Sequence, residues 1–137
     1  MNMKLIVSPD DVDTLVLPWG TFQWLNEPNV TGSKRMTAGI GLIAPGQGHA
    51  KHNHPGIEEI IFFLEGEAEQ TVWREDGSSE VKTVKAGDMV SLPTSAYHST
   101  MNKGTKDVRF LAVYEYSGPE VGMREDPECK IIPAKNK

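Results

Sequence analysis

Turn signals recur along the whole chain and leave no room for a long helix. NEPNVTGS, PGQG, HPG, EDGSS, AGD and SGPE each combine Gly, Pro, Asn, Asp or Ser. These residues supply a positive φ, a fixed φ or a local side-chain hydrogen bond. Between them lie short runs rich in β-branched and aromatic residues: LVLPWGTFQWL over 15–25, RMTAGIGLIA over 35–44, EEIIFFL over 58–64 and DVRFLAVYEY over 107–116. No window shows a sustained helical period with caps. About ten short strands at such intervals predict an all-β sandwich or barrel. The length of 137 residues suits one packed domain, 1–137, and 13 Gly and 9 Pro agree with a turn-rich chain. Residues 1–34 read as N-terminal strands and a loop, with KLIV at 4–7 as a docked first strand. Residues 117–137 read as an extended polar tail on which Ile131 and Ile132 dock.

One stretch, GQGHAKHNHPGIEEIIFFLEG over 46–66, gathers imidazoles and carboxylates around a tight turn. His52 and His54 stand two apart, which on a strand points both rings to one face. Pro55 and Gly56 break that strand, and the apolar run after them reads as the return arm of a hairpin. With 55–58 as the loop, Glu59 lies across from His54 on the same face; a loop one residue shorter selects Glu58 instead. Two imidazoles and one carboxylate then converge, a donor set for a divalent metal of borderline hardness. Ile61 and Phe63 share the face of Glu59 by alternation and are the candidate apolar lining of a substrate pocket. His49, at odd spacing from His52, is expected to point away into solvent. Trp19, Trp24 and Trp73 are candidates for the mouth of the barrel, although such residues more often simply pack.

Composition narrows the function classes. A formal net charge of −5, with no cluster of Lys or Arg longer than a pair, argues against a nucleic-acid partner. No apolar run is long enough to span a bilayer, and MNMKLIV lacks the apolar core of a signal peptide, so the cytoplasm is the expected compartment. The single cysteine, Cys129, excludes an internal disulfide framework and a cysteine zinc cage.

The spacings carry a resemblance to a known family. Gly46, His52, His54, Glu59 and Gly66 match the first motif of the cupins at every position, and Gly87, Pro93, His98 and Asn102 match the second, with Ser95 where the family has Gly. The motif-bearing part, 46–102, is under half of the chain. The resemblance implies a small conserved β-barrel of jelly-roll type. It also implies that His52, His54, Glu59 and His98 are ligands of one divalent metal ion per chain, with Mn, Fe, Co, Ni, Cu and Zn all compatible with three nitrogens and one oxygen. The six-residue interval from Glu59 to Gly66 favours Glu59 over Glu58 as the ligand.

Cupins host dioxygenases, isomerases, decarboxylases, lyases and plain binding proteins, so the fold alone does not select a reaction. The expectation is a metalloenzyme acting on a small carboxylate, a sugar or an aromatic acid. The alternative is a non-catalytic module that binds a sugar or small carboxylate over the same ion. Small cupins are commonly dimers, and the outward set Ile60, Phe62 and Leu64 is more apolar than a solvated face requires, so a homodimer is expected.

Overall fold

The structure, a computed structural model, describes residues 3–136. Among these described residues, eleven strands form two antiparallel sheets that face each other across one core. The larger sheet runs β11 (Lys130–Ile132), β1 (Thr14–Leu17), β2 (Gly20–Asn26), β3 (Met36–Ile43), β10 (Val108–Glu115), β5 (Glu59–Glu65), β8 (Met89–Leu92). The smaller runs β4 (Gly48–His52), β9 (His98–Met101), β6 (Glu67–Trp73), β7 (Ser79–Lys85). This is the all-β barrel that strand count and spacing predict, and it has the jelly-roll form that the family resemblance implies.

Alternation decides which residues enter the core. Along β5 the order is Glu59, Ile61 and Phe63 inward, Ile60 and Phe62 outward at 40% exposure each. In β10 Phe110, Ala112 and Tyr114 face the same interior, and Leu15, Leu17, Phe22, Trp24 and Ile43 complete one side of it. Gly39 and Gly41 of β3 are the small residues this packing demands. A Cβ at Gly39 would collide with the ring of Phe22, and one at Gly41 with the ring of Phe110. The space that two glycines leave on one face is taken by aromatic rings rather than by a ligand.

Three sequence expectations give way here. β4 does not pair with β5. It pairs with β9, whereas β5 lies in the other sheet between β10 and β8. The Pro55–Gly56 turn is therefore a crossing between sheets, closed by Ile57 N–H donating to the His54 carbonyl at 3.0 Å. A strand as apolar as β5 is stabilised by neighbours on both edges, which a lone hairpin partner cannot supply. KLIV forms no strand, since Leu5 and Ile6 are 89% and 90% exposed and the segment is held by Lys4 N–H on the Val30 carbonyl. The tail is not extended throughout. Besides the short helix α1, Pro28–Thr31, a second helix, α2, spans Pro119–Glu125, and β11 then pairs with β1, Thr14 opposite Ile132. Ile131 and Ile132 dock through their backbones while their side chains stay about half exposed. The helix starts where Pro119 can occupy a first-turn position, and the Glu120 carboxylate accepts from Gly118 N–H at 2.6 Å. Arg124 then ties it to the barrel by two bonds, 2.9 and 2.6 Å, to the buried carboxylate of Glu27.

Candidate metal centre

The pairing of β4 with β9 puts His52 directly opposite His98. Their rings lie 4.2 Å apart between centroids, and His54, two residues on in the crossing loop, closes the group at 5.1 Å from His52 and 5.6 Å from His98. One nitrogen from each of the three falls within 4.8 Å of the others, close enough to hold a metal ion. Glu59, the first residue of β5, reaches in from the opposite sheet. Its Oε1 is 3.5 Å from His54 Nε2 and 3.5 Å from His98 Nε2. Glu58 faces outward, exposed, with its backbone N–H on the Glu115 carboxylate. The register that aims Glu59 inward is locked by β10, where Tyr114 sits opposite Glu59.

The protonation state fits ligation. His52 Nδ1 lies 2.7 Å from the Ala50 carbonyl and His98 Nδ1 3.0 Å from the Ala96 carbonyl. Each carbonyl needs a donor, so Nδ1 carries the proton and Nε2 offers its lone pair to the interior. Burial pushes His98 down to about 3 and His54 down to about 4, with neighbouring imidazoles adding to the shift. Burial also lowers His52, against its bond to Ala50. All three are neutral at pH 7, so the 3.5 Å approaches of His54 and His98 to Glu59 are contacts rather than ion pairs. Burial raises Glu59 to about 8, only partly opposed by the Tyr114 hydroxyl. His54 Nε2 and Glu59 Oε1 are buried with no hydrogen-bond partner. Unpaired polar atoms of this kind cost about 1–3 kcal/mol each, and a cation between them would satisfy both.

His98 and Glu59 are 2% and 4% exposed, whereas His52 and His54 are half-buried and line a cavity of about 360 Å³. The cavity is walled by Leu17 and Trp19 from the β1–β2 hairpin, Pro55 and Ile57 from the crossing loop, and Met123 and Asp126 from α2 and its end. Ile61 lines a much smaller space beneath the histidines. Phe63 lines neither of these two spaces; it is fully buried against Phe110 in the core. Of the tryptophans only Trp19 stands at the mouth. Trp24 packs on Phe22 and Tyr114, and Trp73 lies outside under the ammonium of Lys51, 4.4 Å away.

His49 does not point away. Between the pairs His49–Thr100 and His52–His98, β4 spends three residues where β9 spends two. This β-bulge reverses the alternation and brings His49 to the side of His52, stacked at 3.6 Å, with Trp19 stacked on His49 at 5.2 Å. Burial lowers its ring to about 3. Nothing in HAKH announces a bulge, and the helix residues at the mouth come from 70 positions further on. The non-ligand positions of the second motif have structural roles. Asn102 donates to the Ile43 and Lys106 carbonyls and accepts from Gly104 N–H, closing that turn. Ser95 takes the φ of 65° that its place in the motif demands, and its hydroxyl accepts from Gly56 N–H at 2.8 Å, joining the two motif loops.

Comparison with known proteins agrees with this architecture. The oxalate decarboxylase of Bacillus subtilis is 28% identical over 64% of this chain and 23% of its own length, and a solved structure of that enzyme concerns its Mn(II) centres. An auxin-binding protein of Prunus persica is 29% identical over 66% of this chain and 40% of its own. The Lactobacillus farciminis oxalate decarboxylase, solved as a formate complex, superposes with a TM-score of 0.72 at 27% identity, over 79% of this chain and 33% of that one. The chain thus spans well under half the length of each of these relatives. No helix among the described residues is long and apolar enough to cross a membrane. The cupin domain model matches residues 39–114, more than half of the sequence and all of both histidine motifs, so this chain belongs to the cupin family.

Proposed function

We propose that His52, His54, Glu59 and His98 hold one divalent metal ion and that the protein is a metalloenzyme acting on a small molecule admitted through the cavity beside them. The observation that carries this is the pair of buried, unpartnered atoms, His54 Nε2 and Glu59 Oε1, that face each other within a cluster of neutral imidazoles. A fold does not keep such atoms apart from water without a gain elsewhere. When bound, the ion supplies Lewis acidity to an oxygen of the ligand. The chain's own residues do the rest. The backbone carbonyls of Ala50 and Ala96 fix the two ring orientations, the apolar wall limits water, and His49 offers a ring nitrogen at the cavity. A dioxygenase, an isomerase and a decarboxylase are the reaction types in view. The similarity to oxalate decarboxylases supports the last and makes Mn the first metal to supply.

A second reading, a module that binds a small molecule over the ion without turning it over, is favoured by the similarity to an auxin-binding protein. One experiment separates them. Protein loaded with Mn, Fe or Zn is incubated with small carboxylates, sugars and aromatic acids, and both binding and product are followed. Turnover that vanishes with chelator supports the enzyme; saturable, metal-dependent binding with no product supports the module. A protein that takes up no metal and binds none of these compounds sinks both readings.

A further inference from the structure

Among the described residues, no lysine or arginine lines the cavity beside the histidines. The acidic residue in that lining is Asp126, whose carboxylate also accepts from Glu128 N–H at 2.9 Å. The arginine of α2, Arg124, is held by both oxygens of buried Glu27 and is not part of the wall. A small dicarboxylate brings two charges in a few ångströms. Bound end-on to a metal ion through one carboxylate, it would leave the other facing Leu17, Ile57, Met123 and a like-charged Asp126. Desolvating an unpaired carboxylate against such a wall is strongly unfavourable. The opposite chemistry is well served. Trp19 and His49, stacked on each other at 5.2 Å with their rings inclined by only 17°, both line it, and Leu17, Ile57 and Met123 add aliphatic surface. At about 360 Å³ the space lies at the small end of ligand sites, suited to one ring rather than two. Gly122 of α2 also lines the space, and a Cβ there would meet nothing within 4 Å.

We propose that this cavity selects a planar, mostly apolar molecule about one aromatic ring in size, with a single oxygen-donor group directed at the histidines, and discriminates against small dicarboxylates such as oxalate. The proposal rests on the metal reading for the oxygen-donor end and on the wall alone for the rest. Benzoate and oxalate are the probes, each titrated by calorimetry into protein whose Mn content has first been measured. Benzoate should bind at least about tenfold more tightly than oxalate. Gly122→Leu, which improves helix propensity and meets no neighbour, should weaken benzoate about tenfold with Mn content unchanged. Asp126→Lys, at an exposed position, should strengthen oxalate by a similar factor and leave benzoate nearly as it was.

Equal affinities, tighter oxalate or no benzoate binding to the Mn-loaded protein overturns the proposal, as does a Gly122→Leu variant that binds benzoate normally. Absence of Mn uptake instead refutes the metal reading. In that event the wall is tested with toluene, followed by Trp19 fluorescence against Trp19→Phe, and absence of saturable binding overturns the apolar-ligand proposal as well.

Discussion

If Glu59 rests as a neutral acid in the metal-free protein, metal binding must expel its proton. With its carboxyl raised to about 8, Glu59 is about 90% protonated at pH 7 and about 10% at pH 9. His54 and His98, at about 4 and about 3, hold essentially no proton at either pH. Uptake of one ion at pH 7 should therefore release about 0.9 proton, and at pH 9 about 0.1. The sign follows directly. Below pH 8 the apparent affinity should fall about tenfold per unit of pH, because a proton competes for the carboxylate. Ordinary imidazole titration alone would place the onset near pH 6, so the carboxyl moves it upward by about two units. The assay is calorimetric titration of Mn or Zn in buffers of different ionisation enthalpy, where the slope of apparent heat against buffer enthalpy counts the protons. Glu59→Gln should reduce the release at pH 7 to nearly zero and weaken the metal by about tenfold or more, whereas Glu58→Gln should change neither. No release at pH 7 from the native chain, or undiminished release from Glu59→Gln, would refute the reasoning.

Other outcomes follow from packing and charge. Metal-free protein should be most stable near pH 6.5: as pH rises toward 8, Glu59 must ionise while buried, and as pH falls, His49, His54 and His98 bind protons more readily unfolded than folded. Thermal melts across pH in chelator would show the two-sided loss, and monotonic stability would contradict it. Arg124→Met leaves the Glu27 carboxylate buried and unpaired and should cost about 3–5 kcal/mol in denaturant unfolding, with a loss below 1 kcal/mol counting against the pair as the anchor of α2. Gly41→Ala forces a methyl into the Phe110 ring and should destabilise by about 1–3 kcal/mol without altering metal content. We also expect a homodimer through the outward face that carries Ile60, Phe62 and Met89. Light scattering should give twice the chain mass and Phe62→Asp a monomer, whereas a native monomer at micromolar concentration would rule this out.

The jelly-roll class and the convergence of four groups were legible because both rest on short-range regularities. Turn residues punctuate the strands, and the two motifs hold their spacing. Glu59 was separable from Glu58 by its interval to Gly66, and Ile61, on the same inward face of β5, lines the small space beneath the histidines. The partner of β4 was not legible, because a turn after a strand looks the same whether the chain returns beside it or crosses to another sheet. His49 was misplaced for a different reason. One extra residue in β4 reverses every parity argument before it, and the bulge is fixed by pairing with β9 some fifty residues away. Of the cavity mouth, Trp19 alone was among the sequence candidates, and the rest was missed. Trp19, His49 and Met123 meet only once the hairpin and α2 close over the barrel, and the seven residues of that helix are too few to show a period.

The central claim is that four named side chains share one ion, and an anomalous diffraction map recorded at the absorption edge of the supplied metal tests it most directly. The account predicts a single peak per chain at about 2.0–2.2 Å from Nε2 of His52, His54 and His98 and from a carboxylate oxygen of Glu59. A metal-soaked crystal with no peak there, or with Glu59 turned away from it, would contradict the account.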